Sequence, residues 1–208
     1  MVDTSNSQAP SSNEPRRSGS ARSRPSELSP LSAKCLDQHP RVFVPQDLVH
    51  LAGDANAGLV LARINYWLGR SGKDQSINQP RVLFTDDGLR WLAKTRAGLA
   101  RETGLTEMQV KLALKKLQKK RLAQRLGRTE FLRQTHAEVP KGCRGINVWT
   151  GLVRMAGNAA GGLILSQLHY WTSDGPDGKT RLRVYRDGFW WLAKGYEEFA
   201  EETGMTPR

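Results

Sequence analysis

Apolar residues recur along this chain with two different periods, and these periods predict an alternation of helices and strands. Val60, Ile64 and Trp67 follow an i, i+4, i+7 spacing, which indicates the inward face of a helix. The segment "LRWLAK" then places Leu89, Trp91 and Ala93 on one face of a strand. The dipeptide Asp87-Gly88 separates this strand from "RVLFTD" and suits a two-residue type I′ turn. The pattern therefore predicts a helix followed by a hairpin.

A second pair of helices is predicted directly after the hairpin. Leu99 and Ala100 are the inward candidates of a short helix, and Gly104 stands where a helix end needs a positive φ. Leu105 then fills the turn. Thr106, with the glutamine three residues later, fits a capping box that starts the next helix.

That next helix is amphipathic and is followed by a basic hairpin. Val110, Leu114 and Leu117 are predicted to pack inward. Lysines fall largely on the other side, at Lys111, Lys115, Lys116, Lys119 and Lys120. The stretch "LAQRLGRTEFLRQ" then reads as two short strands with Gly127 at their tip.

The chain contains an internal repeat. Leu48 to Trp67 reappears as Leu152 to Trp171 with an offset of 104, and Asp87 to Thr106 reappears as Asp187 to Thr206 with an offset of 100. A length difference confined to a polar, glycine- and proline-containing loop is typical of a duplicated domain.

The second copy predicts the same elements as the first, up to the turn after the short helix. Ile164, Leu168 and Trp171 repeat the helix spacing. Phe189, Trp191 and Ala193 repeat the strand, and Phe199, Ala200, Gly204 and Met205 repeat the short helix and its turn.

These elements predict an α+β, mainly helical fold of tandem winged helix-turn-helix units with small β-hairpins. Residues 1–40 are rich in Ser, Pro and Arg and are expected to form a disordered tail. The first unit is expected over 41–135, a linker over 136–147 and the second unit over 148–208. The sequence ends where the first copy begins its recognition helix, so the second unit lacks that helix and the wing. Either the sequence is a fragment, or the second unit serves as a packing partner.

Charge is concentrated in the predicted second helix and basic hairpin. The formal net charge is +12, and Lys94 to Arg144 alone holds 14 Lys and Arg against 4 Asp and Glu, a net +10. Residues 1–40 carry only +1. A basic surface can simply be solvated. Its coincidence with these two elements instead favours binding to a polyanion such as DNA.

The same residues resemble a known family. The segment "GLVLARINYW…DGLRWLAKTRAGLARETGLTEMQVKLALKKLQKKRLAQR" is similar to the N-terminal winged-helix region of phage and plasmid replication proteins. The resemblance covers about residues 45–126 and 148–208. It implies DNA binding at an origin or operator through Thr106 to Lys120. The sequence departs from the family at Glu107 and Met108, where arginines are common.

The expected contacts to duplex DNA follow from this assignment. They are Thr106, Glu107, Met108, Gln109, Lys111, Lys115, Lys116, Lys119, Arg121, Arg125 and Arg128. The favoured interpretation is a replication-initiator-like DNA-binding protein of a plasmid, phage or related mobile element, suited to directly repeated sites. One alternative is a transcriptional or partition regulator with a palindromic operator, and another is a protein-interaction module. Self-association through the second unit is a further expected contact.

Catalytic motifs are absent from the sequence. There is no G-x-x-x-x-G-K-[ST] phosphate loop, and the four histidines and two cysteines lack metal-ligand spacing. We therefore expect no enzyme activity, no cofactor and no metal. No apolar run approaches the ~20 residues that span a membrane, and no signal peptide is evident. A cytoplasmic bacterial protein associated with the nucleoid or a plasmid is expected.

Overall fold

The helices and strands follow the predicted order but include elements that the hydrophobic pattern did not predict. The computed structural model describes residues 39–69, 81–84, 90–126, 131–134, 143–182 and 184–206. The expected tail, residues 1–40, lies almost wholly outside them. Within these ranges the protein is α+β and mainly helical, which confirms the predicted class. The elements are β1 (Arg41–Pro45), α1 (Gln46–Ala52), α2 (Ala55–Gly69), β2 (Arg81–Phe84), β3 (Arg90–Ala93), α3 (Arg96–Thr103), α4 (Glu107–Lys119), β4 (Ala123–Leu126), β5 (Phe131–Gln134), β6 (Gly145–Trp149), α5 (Thr150–Ala156), α6 (Ala159–Thr172), β7 (Val184–Arg186), β8 (Phe189–Trp191) and α7 (Tyr196–Thr203).

A short helix that was not predicted precedes the predicted helix of each copy. Gly53 ends α1 with a φ of 64°, and the Asp54 carboxylate then accepts a 2.9 Å hydrogen bond from the Ala57 N–H. Gly157 ends α5 with a φ of 72°, and Asn158 caps α6. A left-handed residue stops one helix, and the polar side chain after it satisfies an N–H of the next.

The α3–turn–α4 region forms as predicted. Leu99 is fully buried, Leu105 is 5% exposed, and Gly104 has a φ of 77°. Thr106 and Gln109 form both halves of the capping box at the start of α4. The inward positions Val110, Leu114 and Leu117 are buried.

Two antiparallel sheets carry the predicted hairpins. β2, β3, β5 and β4 form one sheet in that order, and β7 pairs with β8 in another. In the second hairpin Asp187 and Gly188 have φ values of 54° and 84°, which confirms the type I′ turn there. In the first hairpin Phe84 is opposite Arg90, which leaves five residues between the paired ends. Asp87, Gly88 and the hairpin tip Gly127 lie outside the described residues.

The pairing of β1 with β6 was not predicted from the sequence. Gly145, Ile146 and Asn147, which were expected in the linker, belong to β6. The register places Phe43 opposite Asn147, its own counterpart at the repeat offset of 104. Since antiparallel neighbours are related by a two-fold rotation, a local pseudo-two-fold axis passes through this pair. It relates the first segment (residues 41–134) to the second (residues 145–206).

Contacts elsewhere obey the same pseudo-symmetry. A Cβ at Gly104 would lie 2.4 Å from the Thr150 carbonyl oxygen, and a Cβ at Gly204 would lie 2.5 Å from that of Gln46. The Asn56 side chain accepts a 2.9 Å hydrogen bond from the Ala159 N–H, which joins α2 to α6. Both segments also contribute to one buried apolar cluster. The two copies therefore share a core.

The second segment is less buried than the first. Phe189 and Trp191, which the alternation places on one face of a strand, are 50% and 54% exposed. Ile164 is 38% exposed, while its counterpart Val60 is fully buried. In the first segment α4 packs on α2, and β5 pairs with β3. The described residues of the second segment include no counterpart of α4 or β5, so these side chains stay uncovered. Across the described ranges, no helix is both long and apolar enough to cross a membrane.

Candidate nucleic-acid interface

The α4 helix presents a basic face to solvent. Its buried positions are Val110, Ala113, Leu114 and Leu117. At about 100° per residue, Met108, Leu112, Lys115 and Lys119 lie within about 30° of the opposite direction. All four are exposed, and Lys111 stands beside them. The outward face of α4 is therefore the part of the helix that a large partner can reach.

The N-terminal end of α4 is fixed to both segments. The Gln109 side-chain oxygen accepts a 2.9 Å hydrogen bond from the Thr106 N–H, and its Nε2 donates 2.6 Å to the Gly157 carbonyl. The oxygen and the nitrogen of this side-chain amide thus each form a hydrogen bond within the protein. Gln109, predicted as a DNA contact, acts in the structure as a positioning residue for α4.

The other end of α4 is held by the turn between α1 and α2. Lys116 donates to the Asp54 carboxylate at 2.6 Å, and Lys120 donates to the Leu51 carbonyl at 3.0 Å. Burial raises the pKa of Asp54, but hydrogen bonds from Lys116 and the Ala57 N–H outweigh it, and the net pKa is lowered. Lys116, another predicted contact, is therefore partly neutralised.

Three further lysines on α4 are not part of the hydrogen bonds that hold its two ends. Within the described ranges, Lys111, Lys115 and Lys119 take part in no ion pair. They recur every four residues and cover about 12 Å of the helix axis at 1.5 Å per residue. Their spacing gives a positive stripe along the outward face.

The remaining predicted contacts are distributed around α4. Thr106 and Glu107 are exposed at its first turn. Arg121 is exposed just after the helix, with a φ of 57°. Arg125 lies in β4, and its side chain is outside the described residues, as is the whole of Arg128. The structure thus brings the contacts from Thr106 to Arg121 together on and beside one helix.

Leu112 is a surface residue of α4 that was not predicted from the sequence. This leucine is 52% exposed and stands one turn after Met108, which is 60% exposed. Leu112 also lines a shallow groove of about 310 Å³ with Asn56, Lys115 and Lys119. The sequence did contain a signal for its exposure. Leu112 follows Met108 by four residues, so the two share a helix face that is not the buried one.

A half-buried carboxylate fixes α3, which precedes the turn to α4. Glu102 accepts hydrogen bonds from Arg63 at 2.5 Å, from Trp67 at 2.8 Å and from Lys94. Burial raises the pKa of Glu102, but the bonds from Lys94, Arg63 and Trp67 outweigh it, so the net pKa lies below the ordinary value. A carboxylate with three such donors is a structural anchor.

The same anchor recurs at the counterpart position. Glu202 accepts from Gln167 at 2.7 Å, from Trp171 at 3.3 Å and from Lys194. Only the arginine has changed, from Arg63 to Gln167. The repeat therefore preserves a polar network as well as its apolar pattern.

A larger cavity of about 620 Å³ lies beside β6 and the end of α6. The Arg41 guanidinium stacks 3.7 Å from the Trp149 ring centroid, and Arg181 lies 4.3 Å from that of Tyr170. Arg181 also donates to the Tyr170 and Ser173 carbonyls. These arginines brace the cavity wall.

In the described part of the chain, no group of three or more His, Cys, Asp and Glu side chains is placed to hold a metal ion. Comparison with protein-family models, with curated proteins and with solved structures finds no match to this chain. Any assignment of function therefore depends on the geometry of α4 and its surroundings.

Proposed function

We propose that this chain is a DNA-binding protein in which α3 and α4 form a helix-turn-helix and β4–β5 form a basic wing. The observation that carries the proposal is the row of exposed lysines on α4, Lys111, Lys115 and Lys119, opposite its buried stripe. In this class of protein the second helix lies in the major groove, and lysines and arginines along it contact phosphates.

The supports of α4 suit this role because a recognition helix must hold its orientation. Gln109 ties its first turn to Gly157, and Lys116 ties its second half to Asp54. Binding to phosphates would then order only the exposed lysine side chains. A rigid helix loses less entropy on binding than a mobile one.

The favoured biological role is that of a replication-initiator-like protein of a plasmid, phage or related mobile element. The resemblance of the segments around α2, α3 and α4 to replication proteins supports this role. A transcriptional or partition regulator is the second candidate. The pseudo-two-fold relation centred on Phe43 and Asn147 is the symmetry of inverted half-sites, and among the described residues only the first segment supplies a recognition helix. Directly repeated sites, expected from the sequence repeat, do not share that symmetry.

The test is binding of the full chain to random-sequence duplex DNA across a salt series, followed by fluorescence anisotropy. We expect log-linear weakening with salt, and Lys115→Ala is expected to reduce the slope by about one unit because it removes one phosphate-binding ammonium group. Lys179→Ala is the matched control, since Lys179 is 84% exposed on a loop of the second segment. Absence of binding at low salt would leave a protein-interaction module as the function.

A second measurement separates the two candidate roles. Sites enriched from the random pool are rebuilt as direct and as inverted repeats, and binding of the full chain to each is compared. Tighter binding to direct repeats supports the initiator-like role, and tighter binding to inverted repeats supports the regulator.

A further inference from the structure

Two large apolar side chains are exposed on the basic face of α4, in its first two turns. Met108 is 60% exposed and Leu112 is 52% exposed, although α4 already has a complete buried stripe. Neither side chain is needed to fill the core. Exposed apolar side chains on a proposed binding face are candidates for contact with the partner.

The chemistry around this pair points to duplex DNA as its partner. Lys111 and Lys115 precede and follow Leu112 along the helix, and Lys119 stands one turn further on, so an anionic and locally apolar partner suits this face. The major groove of B-DNA combines phosphates at its rims with one apolar group on its floor, the 5-methyl of thymine.

We infer that Met108 and Leu112 are specificity-determining residues that contact thymine methyl groups in the major groove. This inference rests on the proposed DNA-binding function and adds a preference for thymine at particular positions. The two Cα atoms are about 6 Å apart along the helix axis at 1.5 Å per residue. Base pairs are spaced by about 3.4 Å, so the two methyl groups belong to thymines about two base steps apart.

Deoxyuridine tests this inference because it lacks only the 5-methyl group of thymidine. A random duplex pool is enriched on the full chain, and the selected duplexes are resynthesised with deoxyuridine in place of thymidine. We expect binding to weaken by about fourfold for each contacted methyl group that is removed, the transfer value of one buried methylene. The variant Met108→Gln/Leu112→Gln should bind both duplexes with equal affinity.

A matched control separates methyl contacts from phosphate contacts. Lys111→Gln, on the same face, should weaken binding to both duplexes and keep their ratio. Equal affinity of the unsubstituted chain for the two duplexes, with salt-dependent binding intact, would overturn the inference and leave the DNA-binding proposal standing. Loss of self-association in Met108→Gln/Leu112→Gln, without a thymine effect, would overturn it too and assign the pair to contact between copies. No binding to any duplex would refute the proposed function together with the inference.

Discussion

Substitution of Gly104 by alanine tests how closely the two segments are packed. Gly104 has a φ of 77°, and a Cβ there would lie 2.4 Å from the Thr150 carbonyl oxygen and 3.1 Å from the Val153 Cβ. Gly157 has a similar φ of 72°, but a Cβ there would meet nothing within 4 Å. The two positions therefore differ in contact with the other segment, while their backbone conformations are alike.

The expected decreases in stability follow from these two situations. A left-handed conformation costs an alanine about 1 kcal/mol, and this is the whole expected effect of Gly157→Ala. At Gly104 the contact with the Thr150 backbone adds about 1–3 kcal/mol, the usual cost of overpacking. We expect Gly104→Ala to lower the free energy of unfolding by about 2–4 kcal/mol, a large part of the ~5–15 kcal/mol typical of a domain.

Urea denaturation of the full chain, followed by circular dichroism, measures both variants against the unsubstituted protein. Gly204→Ala provides a symmetry check, because its Cβ would lie 2.5 Å from the Gln46 carbonyl oxygen. It should be destabilised about as much as Gly104→Ala. Equal destabilisation in Gly104→Ala and Gly157→Ala would refute the close approach of α3 to the start of α5.

Three further substitutions probe the supports of the interface. Glu102→Gln should lower stability by about 2 kcal/mol at pH 7. The pKa of Glu102 in the folded protein is lowered from its ordinary value of 4.5. The ionised carboxylate therefore stabilises the fold above pH 4.5, and this stabilisation is lost as the pH falls through the folded pKa. The variant should therefore show a flatter decline of urea stability on acidification, and an unchanged acid profile would contradict this role. Asn56→Ala should cost about 1 kcal/mol, since Asn56 accepts from the Ala159 N–H; an unchanged urea midpoint would count against that bond. Thr106→Ala should cost a similar ~1 kcal/mol by removing the helix cap, and a free energy of unfolding in urea equal to that of the parent chain would argue otherwise.

Local patterns predicted the elements whose signals are contained in a few neighbouring residues. The capping box at Thr106, the left-handed Gly104 and the type I′ turn at Asp187-Gly188 formed as expected. Each depends on backbone chemistry within about four residues. The buried stripe of α4 was predicted for the same reason.

Long-range pairing was the part that local patterns did not predict. β1 and β6 are five residues each, and their partner lies about a hundred residues away in the chain. The alternation of apolar residues at Val42 and Val44 indicates a strand, but no neighbouring residue indicates which strand it pairs with. A strand pattern shows that a face is apolar and does not show whether a neighbour covers it, and Trp191 is 54% exposed in the structure.

The candidate site was predicted in position and changed in detail. The exposed lysines of α4 were expected, but Gln109 and Lys116 proved to be tied to Gly157 and Asp54. These ties join residues 48 and 62 positions apart. A helical wheel shows which residues face away from the core and cannot show which of them a distant turn approaches.

The pairing of Phe43 with Asn147 also has a consequence for the time course of synthesis. The 104 residues from Val44 to Asn147 must be translated before β1 can meet its partner. At about 5–20 residues per second on the ribosome, this takes roughly 5–20 s. Val42 and Val44, 2% and 1% exposed in the folded protein, have no partner strand during that interval. β1 is then an unpaired, apolar edge strand that neighbouring nascent chains can capture. We therefore expect the yield of folded protein to depend on expression rate more than its final stability suggests.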